Sequence, residues 1–325
     1  MRKNHFLIGL LATTLFFVSC GSNESITDTG DNGGGNTSDI NNINKNTIST
    51  GQPKEIARFE FPKVKGGTSE VIVHSTPAYG MTYASEWDHT LRSQRWSCFE
   101  IYKSNNVKNW SRSGWDKTSW RGDPFQKDPS VPSSEQPNVT GEFSGSYYKG
   151  YGSFYERGHI CASEDRVYSQ DANEQTFYMT NMQPQVGNLN EKIWSDMEIK
   201  VRGWAPDPLK PEQKFDTLYV CKGGTIDSDD KIIDQTKSGF IVPRYFFMAV
   251  LAKNSDPTNG GYKAMGFWIE HLDVDQRSKG VTSFVVNIDD LEQKTGIDFF
   301  CNLPDDVESK VEGLSVDKVK IAWGL

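Results

Sequence analysis

The chain of 325 residues is poor in several things, and each shortage excludes a class of protein. Cysteine is scarce: there are five, none in a Cys-x-x-Cys pair, which removes the usual structural zinc site. Positive charge is scarce too, with 35 Lys and Arg against 43 Asp and Glu and a net charge of −8. That balance excludes a protein that coats nucleic acid with a broadly basic surface, while leaving room for a local positive groove. Long apolar runs are missing. The most apolar stretch, Phe6–Val18, is shorter than the ~20 residues a spanning helix needs. No internal repeat is visible, and Asp227-Ser228-Asp229-Asp230 lacks the rest of a calcium loop, so it reads as a solvated turn.

What is present divides the chain in three. Arg2-Lys3, the apolar run and Phe17-Val18-Ser19-Cys20 resemble a bacterial lipoprotein signal over residues 1–20, with Cys20 as the lipidated residue. That predicts an exported, membrane-anchored protein facing the periplasm or the cell surface; an ordinary secretory signal or a retained anchor is the competing reading. Residues 21–57, dominated by Ser, Asn, Asp, Thr and Gly, predict a flexible linker, because too little apolar surface is available to offset ordering entropy. Residues 58–325 predict a single domain. With 36% hydrophobic and 12% aromatic residues overall, a substantial core is within reach.

Within the domain, alternating segments predict strands at Glu70–His74 and Arg95–Tyr102, apolar β-rich runs predict inner strands at Leu218–Cys221, Phe246–Leu251 and Ala264–Ile269, and Ser283–Ile288 reads as another strand. Helices are predicted at Asp171–Thr176, at 190–202, where Ile193, Met197 and Val201 form an apolar stripe, and at Asp289–Thr295, stopped by Gly296. Trp194 reads as core, and His74 and His89 as buried or surface histidines without chemistry. Cys98, Cys161, Cys221 and Cys301 either pair, in one of three connectivities, or stay as free buried thiols.

The chemistry concentrates between Tyr155 and Glu198. Glu156-Arg157-Gly158-His159 sets a base that titrates near neutrality beside a permanently charged planar fork suited to phosphate oxygens. Gly158 allows a close backbone approach or a φ that other residues avoid. Asn190 offers a hard neutral oxygen suited to Mg²⁺, and Glu198 a carboxylate able to hold one of the ion's waters. On a regular helix the two lie about 12 Å apart along the axis, too far to share one ion directly. A base, a hydrated cation and an arginine are the parts that phosphodiester cleavage requires.

Arg157-Gly158-His159, Asn181-Met182-Gln183-Pro184-Gln185 and Leu189-Asn190 followed by Trp194 and Glu198 resemble the DNA/RNA non-specific endonuclease family over roughly residues 65–305. The resemblance implies an α+β fold, a central mostly antiparallel sheet with packed helices and a ββα-metal motif. It implies His159 as general base and Asn190 as the protein ligand of Mg²⁺, for which Mn²⁺ or another divalent cation can substitute. Glu198 orients metal-bound water, and Arg157 and Asn181 support the phosphate and the site. Arg121 is the nearest match to the family's arginine that stabilises the pentacovalent transition state. The family usually has Asp where this chain has Glu156. The implied activity is hydrolysis of DNA and RNA without sequence preference, with 5′-phosphate products, and a homodimer is one oligomeric state left open.

Two other readings compete. A surface lipoprotein that binds nucleic acid or another polyanion without cleaving it accords with the acidic balance and Glu156. A thiol hydrolase built on Cys161 and His159 predicts inhibition by alkylation and indifference to chelators.

Overall fold

Strand patterning becomes one antiparallel sheet. The computed structural model describes residues 41–111, 123–146, 154–209, 215–254 and 257–325, all within the compact unit Asp39–Leu325. In chain order the strands are β1 (Ser69–Thr76), β2 (Gly80–Asp88), β3 (Ser93–Tyr102), β4 (Tyr155–His159), β5 (Met182–Val186), β6 (Phe215–Gly224), β7 (Ile232–Gln235), β8 (Ile241–Pro243), β9 (Tyr245–Asn254), β10 (Tyr262–Glu270) and β11 (Val285–Val286). Seven of them form the main sheet, ordered β1-β2-β3-β6-β9-β10-β11, while β4–β5 and β7–β8 are separate two-stranded ribbons. The helices are α1 (Gln170–Gln175), α2 (Ser195–Trp204), α3 (Ile288–Thr295), α4 (Asp305–Glu312) and α5 (Val316–Trp323). The expected α+β class with a central antiparallel sheet and packed helices is what the chain adopts.

The sheet is covered on both faces, which explains the unbroken apolar run in β9. Side chains alternate across a strand. Phe246, Met248 and Val250 therefore join Ile193, Trp194 and Met197 in one core, whereas Phe247, Ala249 and Leu251 join Leu291 of α3 and Val311 of α4 in another. Each buried Val, Leu, Ile, Phe or Met among them contributes about 1.5–3 kcal/mol. Two elements end where local chemistry dictates. The Ser169 hydroxyl accepts the Ala172 N–H at the start of α1. Gly296, with φ 73°, closes α3 in the left-handed region that glycine tolerates.

Three segments differ from expectation. The stretch read as linker packs on the domain well before residue 57. Asn42 donates to the carbonyls of Cys301 and Leu303, and the Asn46 amide donates to Ile56 and Pro62, each at 3.0 Å. Asparagine lowers apolar content but brings donors that satisfy buried carbonyls. The helix predicted at 190–202 runs from 189 to 204, and its first turn, Leu189–Trp194, is π-helical. The strand predicted at Ser283–Ile288 shrinks to Val285–Val286, because Val281–Phe284 forms a 3₁₀ turn and Ile288 already starts α3. The four cysteines are free and buried.

Candidate active site

Ribbon β4–β5 and the helix that follows it form a ββα unit. β4 pairs antiparallel with β5 so that His159 lies opposite Met182 and Glu156 opposite Gln185. The helix starts three residues after β5, with Asn190 in its π turn. An i→i+5 bond spans one more residue than the bond of an α turn, and such turns are often found where side chains are positioned for function.

His159 stands at the end of β4 between two aromatic rings, 4.9 Å from Phe177 and 5.5 Å from Phe125, centroid to centroid. The backbone just after it is fixed by Asn181. That fully buried amide accepts the Cys161 N–H at 2.8 Å and donates to the Cys161 and Thr176 carbonyls, both at 2.8 Å. Asn181 is therefore consumed in clamping the turn after His159. Both ends of its side-chain amide are committed to backbone groups.

Arg157 lies on the same strand, with its guanidinium carbon 3.5 Å above the Phe125 ring. Nη1 donates to Asp123 at 3.0 Å and to the Val139 carbonyl at 3.1 Å, and the side chain is 30% exposed. No described residue engages the rest of the fork, which leaves donors for an oxyanion. Between Arg157 and His159, Gly158 is required for close approach and not for its φ. A Cβ there would sit 2.3 Å from the Gln185 side-chain carbon. Arg121 lies outside the described residues.

Glu156 couples β4 to the helix. Its Oε2 accepts from Asn190 Nδ2 at 2.8 Å. With Nδ2 committed, the Asn190 amide has Oδ1 to offer a cation, the neutral hard oxygen a partly hydrated divalent ion accepts. The longer glutamate fits because Gly187 leaves space, where a Cβ would lie 2.9 Å from Oε1. Burial raises the Glu156 carboxyl above its ordinary range, and the Asn190 hydrogen bond pulls against that shift.

Glu198, two turns further on, is buried against an unexpected partner. Lys222 Nζ donates to its Oε1 at 2.5 Å and lies 5.1 Å from the centre of the Trp194 ring. Burial raises Glu198 and the Lys222 charge opposes it. Arg202, one turn beyond Glu198, pairs with Asp165 at 2.7 Å. Two carboxylates and two cations therefore alternate beside the helix. Lys222 had a signal in the sequence: it is a lysine in phase with Leu218 and Val220, both inward residues of β6. Arg202 had one as well, at i+4 from Glu198.

The remaining candidates are structural. Cys161 is completely buried, and burial pushes its thiol up to about 12, so it is a protonated, inaccessible thiol at neutral pH. His74 pairs with Asp128 at 3.1 Å, and His89 with Glu135 at 2.6 Å. His271 was not singled out by sequence. It accepts the Val186 N–H at 2.8 Å and contacts the Pro243 carbonyl at 2.9 Å, riveting β5 to β8.

Residues 63–306 match the family model described as DNA/RNA non-specific endonuclease. Nuclease C1 of Cunninghamella echinulata var. echinulata is 30% identical over 187 residues, which cover 55% of this chain and 67% of that protein. Mitochondrial endonuclease G of Bos taurus is 24% identical over 261 residues, covering 78% of this chain and 75% of its own. A chain from the crystal structure of the EndoG/EndoGI complex aligns with a TM-score of 0.58 at 22% identity, over 83% of this chain and 100% of that one, so the fold is shared.

Proposed function

The chain belongs to the DNA/RNA non-specific endonuclease family, and from that membership we propose that it hydrolyses DNA and RNA phosphodiesters with His159 as general base and a divalent cation, Mg²⁺ by preference, on Asn190. The observation that carries the reading is the Glu156–Asn190 hydrogen bond of 2.8 Å, which ties the strand bearing His159 to the turn bearing the cation ligand. The donor set fits the ion: one neutral amide oxygen from the protein suits a cation that keeps most of its waters. When bound, such an ion supplies neutralisation of the charge that develops on phosphorus and the leaving 3′ oxygen.

The protein's own groups do the rest. His159, held upright between Phe125 and Phe177, takes a proton from the attacking water. Arg157 offers the free part of its fork to a phosphate oxygen, and binding there competes with Asp123 for Nη1. Glu198, whose upward shift from burial the Lys222 charge opposes, accepts hydrogen bonds from ordered water. Asn181 positions the histidine through Cys161, and Arg121 is retained as the arginine facing the transition state. We further propose export and membrane attachment through a lipid on Cys20, tested by radiolabelled palmitate incorporation that a Cys20→Ala variant abolishes.

The activity is tested on purified protein with supercoiled plasmid and with single-stranded RNA, in Mg²⁺ or EDTA, beside His159→Ala. Cleavage of both polymers that EDTA and the variant each abolish supports the reading. Uncut polymers in every lane, with DNA retarded on a gel, establish the polyanion-binding alternative instead.

A further inference from the structure

On the face of the sheet away from the ββα unit, α3 and α4 flank an open groove of about 460 Å³. Asp289 and Glu292 line it from α3, Glu308 and Glu312 from α4, with Asp298 from the loop between them, and no lysine or arginine is among its lining residues. Spacings of i, i+3 and i, i+4 put each helix's carboxylates on one face, so the two faces aim like charges at each other. Part of this charge is engaged. Asn44 donates to Asp298 at 3.2 Å and to Glu308 at 3.0 Å, and the Phe299 N–H donates to Glu292 Oε1 at 2.7 Å.

Glu312 is different. It is only 5% exposed, and its Oε1 has no hydrogen-bond partner among the described residues. A buried carboxylate oxygen left unsatisfied costs about 1–3 kcal/mol or more unless something absent from the protein chain meets it. One ligand oxygen from each of Asp289, Glu292 and Glu312 lies within 4.8 Å of the other two. Oxygens bound to one Ca²⁺ at 2.3–2.6 Å stand at most roughly 5 Å apart, whereas Mg²⁺ at 2.0–2.1 Å holds them within roughly 4 Å.

We propose that this groove holds a Ca²⁺ site in which Asp289, Glu292 and Glu312 supply the protein ligands. It is separate from the nuclease centre, since its ligands come from α3 and α4 on the opposite face of the sheet. Bound there, the ion joins α3 to α4 and, through Asn44, braces the segment by which the chain enters the domain.

The test is thermal unfolding and titration calorimetry on the full chain, stripped with EDTA and then given CaCl₂. At a hundredfold excess over Kd, Ca²⁺ is expected to raise Tm by on the order of 5 °C. Asn190→Ala should keep the whole shift, which separates this site from any ion at the nuclease centre. Glu312→Gln should lose it, and Asp289→Asn, at an exposed position that tolerates change, should weaken Ca²⁺ at least tenfold. The proposal is overturned by an unchanged Tm in the native chain, by an equal shift in Glu312→Gln, or by a shift that Asn190→Ala removes. Those outcomes leave the nuclease reading untouched.

Discussion

On the face of the sheet that carries β4, β5 and α2, Glu198 has the Lys222 ammonium at 2.5 Å. On the other face Glu312 is more deeply buried still, and the charged residues that line the groove with it are all carboxylates. Burial pushes Glu312 up to about 10 and Glu292 up to about 8. The protein sets a cation of its own beside Glu198, and sets none among the residues that line the groove between α3 and α4. A carboxylate fixed by an internal lysine keeps its geometry whatever the solution holds. One without such a partner responds to protons and cations, so the first face is built for a constant position and the second for a variable occupant.

The sharpest way to separate the faces is at the catalytic end. His159→Ala is expected to lower DNA cleavage by about 10²–10⁴-fold, the usual contribution of a general base, with little change in Tm. Gel densitometry of plasmid nicking checks the first and calorimetry the second. A variant that keeps more than a tenth of the activity removes His159 from the mechanism.

Next in size is the ion pair. Lys222→Met leaves Glu198 as an uncompensated buried charge and should cost about 3–5 kcal/mol in urea unfolding. Adding Glu198→Gln to the same chain should recover part of that loss. If the single variant costs under about 1 kcal/mol, Glu198 is protonated and the contrast between the faces fails.

A third effect tests the same face through pH. Burial holds His271 down to about 4, below the usual histidine range. A histidine lowered in the folded state favours folding fully above its unfolded value, about 6.5, and loses that contribution as pH falls toward 4. The loss should reach on the order of 3 kcal/mol across that window. His271→Gln should flatten this part of the stability-versus-pH curve, and an unchanged slope would show that another group carries it.

The smallest effect lies on the acidic face. In EDTA at pH 7, Glu312→Gln replaces one neutral carboxyl by another neutral acceptor and should shift stability by less than about 1 kcal/mol. The contrast with Lys222→Met on the same assay is the point of the pair. Comparable losses from both would mean that Glu312 is charged and already has a compensating cation in the chain.

Legibility followed sequence distance. His159, Asn190 and Glu198 stood out because their types and order fall within one short stretch, β3 because its residues alternate, and β6, β9 and β10 because two covered faces enforce apolar runs. β2 was missed since it buries Ser85, Glu86 and Asp88, whose polarity hides the strand. α4 was missed because Asp305–Glu312 buries one apolar residue, Val311. Asn181 stood out by its motif, but its bond to Cys161, 20 residues away, was not readable, and His271, which holds Val186 from 85, was not singled out at all. No local pattern encodes such pairs; only the closed sheet brings them together. The π turn at Leu189–Trp194 has no signature in its residues either.

The asparagine fastening at the amino end of the domain has a mechanical consequence. Asn42 is bonded to the carbonyl of Cys301, 259 residues further along, on the α3–α4 side of the sheet. Tension arriving along the chain at residue 41 is therefore taken first by that clamp and the core beneath Phe300 and Leu303. β4 and β5 lie off the load path, so the domain can be tugged by its leading end without disturbing the histidine.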